Sequence, residues 1–433
     1  MTPIEIGILG TAFMVALLFS GISVGVAMAL TGFLGFAVLS GITPALGLLK
    51  TVPYSTVASY TLTVIPLFIL MGEMSFQSGI SRDLYDGAHR WFGHLPGGLA
   101  MATIGAGAGF GAMCGSSAAS TATFGSVALP EMRKYKYAPG FAAASVAAAG
   151  TLAILIPPST GFIIYGVITE QSIGKLFIAG IIPGIILSAL YILTIYFIAK
   201  RNPEIAPRGP ATTWREKFGV LRGSWPMVVL FLFVMGGIWV GIFTATEAGA
   251  MGAVGSFLFM IWRRQCNFRN MVDCLAKTAK ITAMVFLILI GAFIFGYFLA
   301  VTGVPEAMAT YFRSLPLPPI MVILGILILY LFLGCIMDML SMVVLTTPLF
   351  FPIVVGLGFD PIWYGVMVVV AMEQGQLTPP VGLNLYVVSG MARDIPMAKI
   401  IYYMWPYILD LVIFMCIMLA FPKLTLFLPS LMK

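Results

Sequence analysis

Long, uninterrupted apolar stretches constrain what this chain can fold into more than any other feature. The runs at 225–243, 281–301 and 404–421 each approach the length of about 20 apolar residues that an α-helix needs to cross a bilayer. Along each run the apolar residues are continuous and do not alternate with polar ones, which predicts helices and excludes a barrel. Only 9% of the 433 residues are charged, against about 25% in soluble domains. We therefore expect an all-α, polytopic membrane protein.

The basic residues are concentrated in a few loops. One turn holds Arg133, Lys134 and Lys136, and the longest basic segments are 200–222 and 263–280. Because positive charge accumulates in the cytoplasmic loops of membrane proteins, these segments are predicted to face the cytoplasm. The net charge of +7 is then explained by orientation in a membrane, and it does not indicate a nucleic-acid partner.

Several prolines in the first half of the chain have a counterpart in the second half at a constant distance along the sequence. The prolines at 130, 139 and 157 are each followed by another proline 222 positions later. The basic turn 133–136 corresponds in this spacing to the segment 353–359, which has no basic residue. Matched loops of unlike charge indicate two inverted-topology repeats, an arrangement found in many secondary transporters.

Two apolar segments are interrupted near their middle. In 98–130 the interruption runs from Cys114 to Thr121, and in 319–352 it lies at 334–338. Since each arm is shorter than the roughly 20 residues of a full crossing, we expect two re-entrant helical hairpins. The glycines at 105, 107, 109 and 111 are expected to let the arms of the first hairpin pack closely. The alternative for this segment is a glycine-rich packing helix.

Asp338 lies in the interruption of the second predicted hairpin. A carboxylate deep in an apolar segment is costly unless it is paired or hydrated, and such residues are commonly functional. The alternative is that Asp338 caps the second arm of the hairpin by accepting backbone N–H groups. The sequence leaves both interpretations open, and one does not exclude the other.

Two further apolar segments, 139–171 and 360–393, are broken by the pairs Pro157-Pro158 and Pro379-Pro380. Proline has no N–H, so carbonyls of the preceding turn lose their helical partners and become available to a hard cation. The half-helices that begin after the breaks would direct N-terminal N–H groups toward an anion. The alternative is a proline kink satisfied by neighbouring helices. Nearby side-chain oxygens belong to Ser159, Thr160, Thr378 and Asn384, and to Glu373, which we expect to line a cavity or accept backbone N–H groups.

These features divide the chain into four parts. They are the N-terminal scaffold helices (1–61), a first repeat (62–200), cytoplasmic linkers with two connecting spans (201–280) and a second repeat (281–433). An enzyme is not expected, because the only histidines, His89 and His94, lie in a cytoplasmic loop and no phosphate-cradling GxxxxGK[ST] motif occurs. A channel or a purely structural membrane subunit stays open beside a carrier.

The residues at the breaks resemble those of a known family. Gly115-Ser116-Ser117 with the first proline break, and Leu-Thr-Pro-Pro-Val-Gly-Leu-Asn at 377–384, are similar to the large membrane subunit of tripartite ATP-independent periplasmic (TRAP) transporters, within the wider ion transporter superfamily. The resemblance covers nearly the whole chain. It implies an elevator-type importer that couples sodium to the uptake of a small organic anion, such as a C4-dicarboxylate, a sugar acid or sialic acid.

The resemblance also implies two protein partners, a separate small membrane subunit of four helices and a periplasmic substrate-binding protein. The alternative is a stand-alone sodium/anion symporter of related architecture, without a binding protein. Sodium is the only metal that the resemblance implies, and no other cofactor is expected.

The resemblance finally implies which residues form the site. The first sodium site is expected at Gly115, Ser116, Ser117, Pro158 and Ser159, the second at Met337, Asp338, Thr378, Pro379 and Gly382, and the anion site between them at Ser120, Thr121, Thr160, Glu373 and Asn384. No Lys or Arg lies at the hairpin interruptions or beside the paired prolines. An anion would therefore depend on helix N-termini, hydroxyl groups and bound sodium.

Overall fold

The computed structural model describes residues 1–209 and 212–432, apart from the side chains of residues 214, 218, 220–222 and 224. Residues 210, 211 and 433, which fall in the predicted connecting segment and second repeat, lie outside the described residues, and so does the side chain of Arg222. Every regular element in the described part of the chain is helical, which confirms the predicted all-α class.

The N-terminal region forms five helices. They are α1 (Pro3–Phe19), α2 (Val24–Ser40), α3 (Ile42–Val57), α4 (Val64–Gln77) and the amphipathic α5 (Ile80–Phe92), with a single 3-10 turn at Thr61–Thr63. The chain bends by 56° between α3 and α4. Thr2 and Glu5 form a reciprocal cap at the start of α1, because each side chain accepts the other's backbone N–H.

Fifteen further helices follow. The rest of the predicted first repeat (62–200) contains α6 (Gly98–Cys114), α7 (Ser117–Lys134), α8 (Pro139–Leu155), α9 (Thr160–Thr169) and α10 (Ile173–Arg201). The predicted connecting segment (201–280) contains α11 (Trp214–Val240) and α12 (Ala245–Trp262), and α13 (Phe268–Thr302) runs from it into the start of the predicted second repeat, where α14 (Val304–Ser314) follows. The second repeat region contains α15 (Pro319–Gly334), α16 (Met339–Gly356), α17 (Pro361–Leu377), α18 (Leu383–Met391), α19 (Met397–Ala420) and the short α20 (Lys423–Ser430).

Six helices in the described structure are long and apolar enough to cross a membrane, or seven spans if the bent pair α3 and α4 counts as one. Helices at the periphery expose large apolar side chains, among them Phe13, Leu30, Leu232 and Leu258. Exposed apolar surface on this scale suits contact with lipid, where no water has to be ordered around it. The fold is that of a multi-pass membrane protein.

The core lies around the two helices that precede the paired prolines. Every residue of α8 from Gly140 to Leu155 is buried, and so is every residue of α17 from Ile362 to Leu377. A helix that is apolar all round can be buried on every face. The first proline break is buried at Pro157 and Pro158, whereas the second, at Pro380 and Val381, is exposed on the protein.

The glycines of α6 contact other helices than the sequence led us to expect. A Cβ added at Gly107 would lie 2.9 Å from the side chain of Ala149, and one at Gly111 would lie 2.5 Å from the Cα of Ala153, both on α8. The nearest atoms to Gly105 and Gly109 belong to α5 and α11. The prediction that these glycines serve the packing of α6 on α7 is therefore wrong, since they allow α8 and its surroundings to approach α6.

Corresponding turns of the two halves have the same backbone geometry. Lys136 and Gly358, which are 222 positions apart, both adopt left-handed backbone conformations, with φ of 58° and 86°. The residue after each donates its N–H to the carbonyl five positions earlier, at 3.0 and 3.2 Å. α7 and α16 end at these turns and not at Pro130 and Pro352, which lie inside the helices. The opposite orientation of the two halves in the membrane stays a prediction.

Candidate functional site

The first hairpin interruption lies against the first proline break. Gly115 separates α6 from α7 with a φ of 61°, and its carbonyl accepts a hydrogen bond of 2.7 Å from the Thr160 hydroxyl. A Cβ added at Gly115 would lie 3.0 Å from the carbonyl oxygen of Pro158. Ser116 and Ser159 cap α7 and α9 by accepting backbone N–H groups, each at 3.4 Å. The structure thus brings together the residues predicted for the first sodium site.

The second interruption meets the second proline break through different atoms. Gly334 and Gly375 approach so closely that a Cβ added at Gly375 would lie 2.5 Å from the Cα of Gly334. The Cys335 thiol lies 3.7 Å from the carbonyl oxygen of Pro379. Within the described residues, no hydrogen bond joins Asp338 to Thr378 or Gly382. The hairpin interruption and the proline break are neighbours here as well, but of the residues in contact sequence analysis selected only Pro379.

Asp338 acts as the N-cap of α16. Its carboxylate accepts the backbone N–H of Ser341 at 3.1 Å and the Ser341 hydroxyl at 2.5 Å. The capping interpretation is therefore confirmed. The Asp338 side chain is exposed in the protein, so any contribution to a cation site would come from a carboxylate that its own helix already orients.

Thr378 and Gly382 shape the end of α17 and the start of α18. The Thr378 hydroxyl donates to the carbonyl of Gln374 at 2.6 Å, which replaces a helical N–H partner near the prolines. Gly382 has a φ of 57° and directly precedes α18. A left-handed residue at this position lets the chain turn from the break into the new helix.

The N-termini of four half-helices meet in one region. Ser117, the first residue of α7, accepts a hydrogen bond of 2.7 Å from the side-chain amide of Asn384 in the first turn of α18. A Cβ added at Gly161, in the first turn of α9, would overlap the side chain of Met339, the first residue of α16. Each half therefore contributes two helix N-termini, whose free N–H groups and positive dipole ends favour an anion.

A buried polar network connects the two halves at this point. The Ser117 hydroxyl donates to Glu373 Oε2 at 3.0 Å while it accepts from Asn384 Nδ2. Gln376 Nε2 lies 3.5 Å from Glu373 Oε1. Sequence analysis assigned Glu373 and Asn384 to the anion site and Ser117 to the first sodium site, and it gave no signal that joined Ser117 to them or that included Gln376.

The two remaining hydroxyl groups of the predicted anion site lie on α7. Ser120 and Thr121 are fully buried, and their side-chain oxygens have no hydrogen-bond partner in the described structure. The Thr121 hydroxyl occupies the space that a side chain at Gly150 of α8 would fill. Buried hydroxyl groups without partners are unusual in folded proteins. Their oxygens therefore keep unused hydrogen-bonding capacity, and that of Thr121 faces α8.

A cavity of about 1300 Å³ lies away from these residues. Its walls include Thr56, Tyr60 and Tyr297 from α3, the following loop and α13, and Gln171 and Thr347 from the loop after α9 and from α16. Sequence analysis gave no sign of it, because its walls come from segments that are distant along the chain. It borders the N-terminal region on one side and the repeats on the other.

Comparison with known proteins agrees with this architecture. The family model for the DctM component of tripartite ATP-independent periplasmic transporters matches residues 11–424. The C4-dicarboxylate TRAP transporter large permease protein DctM of Pseudomonas aeruginosa is 37% identical over 378 residues, which cover 87% of this chain and 88% of that protein. The sialic acid TRAP transporter large permease protein SiaM of Vibrio cholerae is 32% identical over 416 residues, 96% of each chain.

A solved structure also shares the fold. The crystal structure of the YdaH transporter of Alcanivorax borkumensis superposes with a TM-score of 0.68 over 92% of this chain and 96% of that one, at 15% sequence identity. At this identity the likeness concerns the fold alone. The two similar permeases are transport proteins, in agreement with the expectation that the chain is not an enzyme. The chain belongs to the DctM component family of TRAP transporters, proteins of the bacterial inner membrane.

Proposed function

We propose that this chain is a sodium-coupled permease that imports a small organic anion by an elevator mechanism. A DctM component is one part of a tripartite transporter, so the proposed partners are a small membrane subunit and a periplasmic substrate-binding protein. The substrate class is a carboxylate, because similar permeases are named for C4-dicarboxylates and sialic acid. The stand-alone symporter is not favoured, since the family is tripartite.

The observation that carries the proposal is the meeting of four helix N-termini. Ser117 with Asn384 and Gly161 with Met339 join the first turns of α7, α18, α9 and α16. Partial positive charge from helix ends can hold an anion where no Lys or Arg is available. Ser120, Thr121, Thr160 and Asn384 are the proposed anion contacts, with Glu373 beside them.

Two groups of oxygen atoms support the proposal of sodium coupling. The first consists of Gly115, Ser116, Ser117, Pro158 and Ser159, and the second of Met337, Asp338, Thr378, Pro379 and Gly382. Each group combines a hairpin interruption with a proline break, where helical carbonyls lack N–H partners. Alkali ions prefer such neutral or singly charged oxygen ligands, and sodium bound at the tips would add positive charge on both sides of the anion.

Uptake into proteoliposomes tests this function. The large and small subunits are reconstituted with the purified binding protein, and uptake of radiolabelled C4-dicarboxylate and sialic acid is measured with and without an inward sodium gradient. We expect uptake to require both sodium and the binding protein. Ser116→Ala and Thr378→Val are expected to lower uptake and weaken its dependence on sodium, because each removes an oxygen from a proposed sodium site.

Two matched variants control for structural damage. Thr103→Val removes a buried hydroxyl that donates to the carbonyl four residues earlier at 2.9 Å, as Thr378 does. Ser172→Ala removes a serine that caps α10 at 3.3 Å, as Ser116 caps α7. Both are expected to leave the sodium dependence unchanged. Sodium-independent uptake by the wild type would refute the proposed coupling, and uptake without the binding protein would favour a stand-alone symporter.

A further inference from the structure

Glu373 is a buried carboxylate without a basic partner. Its side chain is 1% exposed and lies in α17, all of whose residues from Ile362 onward are buried. The ion pairs among the described residues are Arg133–Asp394, Arg263–Asp83 and Lys277–Glu73, and none of them includes Glu373. A buried charge that is left uncompensated is strongly destabilising. Some positive species must therefore accompany this carboxylate when it is ionised.

The surroundings of Glu373 are rich in oxygen acceptors. The Ser117 hydroxyl proton already points to Glu373 Oε2, and the Asn384 side-chain amide donates to the Ser117 oxygen. Asn384 Oδ1 has no hydrogen-bond partner, although the residue is 0% exposed. Each oxygen of the Glu373 carboxylate faces one neutral donor, the Ser117 hydroxyl at 3.0 Å or the Gln376 side-chain amide at 3.5 Å, and the Asn384 amide oxygen faces none. None of these groups supplies a positive charge.

This set of oxygens suits an alkali cation better than other metal ions. Divalent calcium and magnesium are usually bound by several carboxylates or by substrate phosphates, and only one carboxylate is present here. Transition metals favour His and Cys, and no group of three or more His, Cys, Asp and Glu that could hold a metal occurs in the described residues. A single carboxylate with amide and hydroxyl oxygens balances one positive charge.

We propose that Glu373 and Asn384 form a third alkali-cation site at the junction of α7, α17 and α18, beside the first site proposed at the hairpin tips, whose Ser117 contacts both residues. Its side-chain oxygens come from α17 and α18 and not from either tip. The cation neutralises Glu373 and lies next to the region where the helix N-termini favour an anion. This inference rests on the proposed function, because it takes sodium as the coupling ion. Each transported anion is then accompanied by one more sodium ion than the two tip sites provide.

Direct binding of sodium to the assembled membrane complex tests the third site. The large and small subunits are purified together in lipid nanodiscs, and the number of bound ²²Na⁺ ions per complex is measured at saturation. We expect Glu373→Gln to bind one sodium ion fewer than the wild type. Glu373→Asp keeps the charge but shifts the carboxylate, so it should keep the number of ions and lose roughly 10- to 100-fold in affinity.

Asp410→Asn is the matched control. Asp410 is also buried, at 5% exposure, and it accepts a hydrogen bond from Thr194 at 2.8 Å, on α19 and outside the hydrogen-bond network of Ser117, Glu373 and Asn384. We expect this variant to bind as many sodium ions as the wild type. Monodisperse elution and a thermal transition close to that of the wild type confirm that each variant is folded before ions are counted.

Three outcomes would overturn the proposal. If Glu373→Gln binds as many sodium ions as the wild type, the carboxylate is not a sodium ligand and a proton neutralises it instead. If Asp410→Asn loses an ion as well, the loss reflects the removal of any buried carboxylate. If the wild type binds no sodium at all, the proposed sodium coupling fails together with this site, which separates that failure from the first two.

Discussion

Ser117 is the residue at which the two halves of the chain are joined most closely at the site. Its hydroxyl bonds one residue 256 positions away and a second one 267 positions away. A serine at the start of a helix is ordinarily a capping residue, but here Ser116 is the cap of α7. Ser117 is therefore free to orient Glu373 and Asn384, and its role depends on long-range contacts.

Replacement of Ser117 by alanine tests this role. The Ser117→Ala variant leaves the Glu373 carboxylate and the Asn384 amide without their shared partner, so we expect it to lower the free energy of unfolding by about 1–3 kcal/mol. Ser126→Ala is the control, because the Ser126 hydroxyl donates to the backbone carbonyl of Thr123 in its own helix and not to a carboxylate. Thermal unfolding in nanodiscs measures both, and equal transition temperatures would contradict the proposed role.

Gly382 is required by its backbone conformation. With φ at 57°, any residue with a Cβ is strained there, and Gly382→Ala is expected to cost about 1–2 kcal/mol and to reduce uptake by misplacing α18. Gly390→Ala lies in the same short helix with no atom within 4 Å of the added methyl group, so it should retain uptake and stability. Uptake assays and thermal unfolding compare the two variants. Retained uptake by Gly382→Ala would show that α18 can begin from a different backbone conformation at residue 382.

Individual residues could be selected from the sequence where their chemistry is local. The motifs at the two breaks identified Gly115, Gly382 and Asn384, and the capping interpretation of Asp338 was correct because a cap depends on neighbours three residues away. Gln376 and Cys335 were missed. Their contacts depend on which helices pack together, and the neighbouring sequence does not predict that packing.

At the scale of elements, apolar runs and prolines predicted the helices, and packing decided their partners. The paired prolines end α8 and α17 as expected. By contrast, α7 and α16 continue through single prolines until a left-handed turn ends them. The sequence of α6 could not show which helix packs on each of its faces, because the glycines that contact α8 are chemically the same as those that contact α5 and α11.

The packing of α6 on α8 makes a specific prediction for two neighbouring glycines. Gly111→Val places a side chain against the Ala153 backbone and is expected to destabilise the protein by about 1–3 kcal/mol through overpacking. Gly109→Val meets its nearest atom, from Met227, at 3.5 Å, an ordinary contact, and should have a much smaller effect. Thermal unfolding of the two variants distinguishes them. Equal destabilisation would mean that α6 is sensitive to any loss of glycine.

At the scale of the whole molecule, the predicted internal repeat rests on the constant spacing of prolines between the two halves. The turns at Lys136 and Gly358 share their backbone geometry, so the spacing reflects a common chain path. The arrangement of the core could not be predicted in the same way. It brings the first turn of α7 to that of α18, and α9 to α16, so each hairpin is completed by the broken helix of the other half.

Opposite orientation of the halves is tested by labelling single cysteines. The exposed Cys266 and Cys416 are first replaced by serine. Lys134→Cys and Val355→Cys then place one exposed thiol in the last turn of α7 and of α16. With a membrane-impermeant maleimide on intact spheroplasts, we expect labelling of Val355→Cys alone, and labelling of Lys134→Cys only after permeabilisation. Labelling of both from one side would mean that the halves are parallel.

The hydrogen bonds of Ser117 also have a consequence for the order of synthesis. Glu373 leaves the ribosome 256 residues after Ser117, which at about 5–20 residues per second corresponds to roughly 10–50 s. During that interval the hairpin of the first half is already made, but the partners that bury its tip do not yet exist. Until the last quarter of the chain has been made, the Ser117 hydroxyl cannot form either of the two hydrogen bonds that hold it in the folded protein.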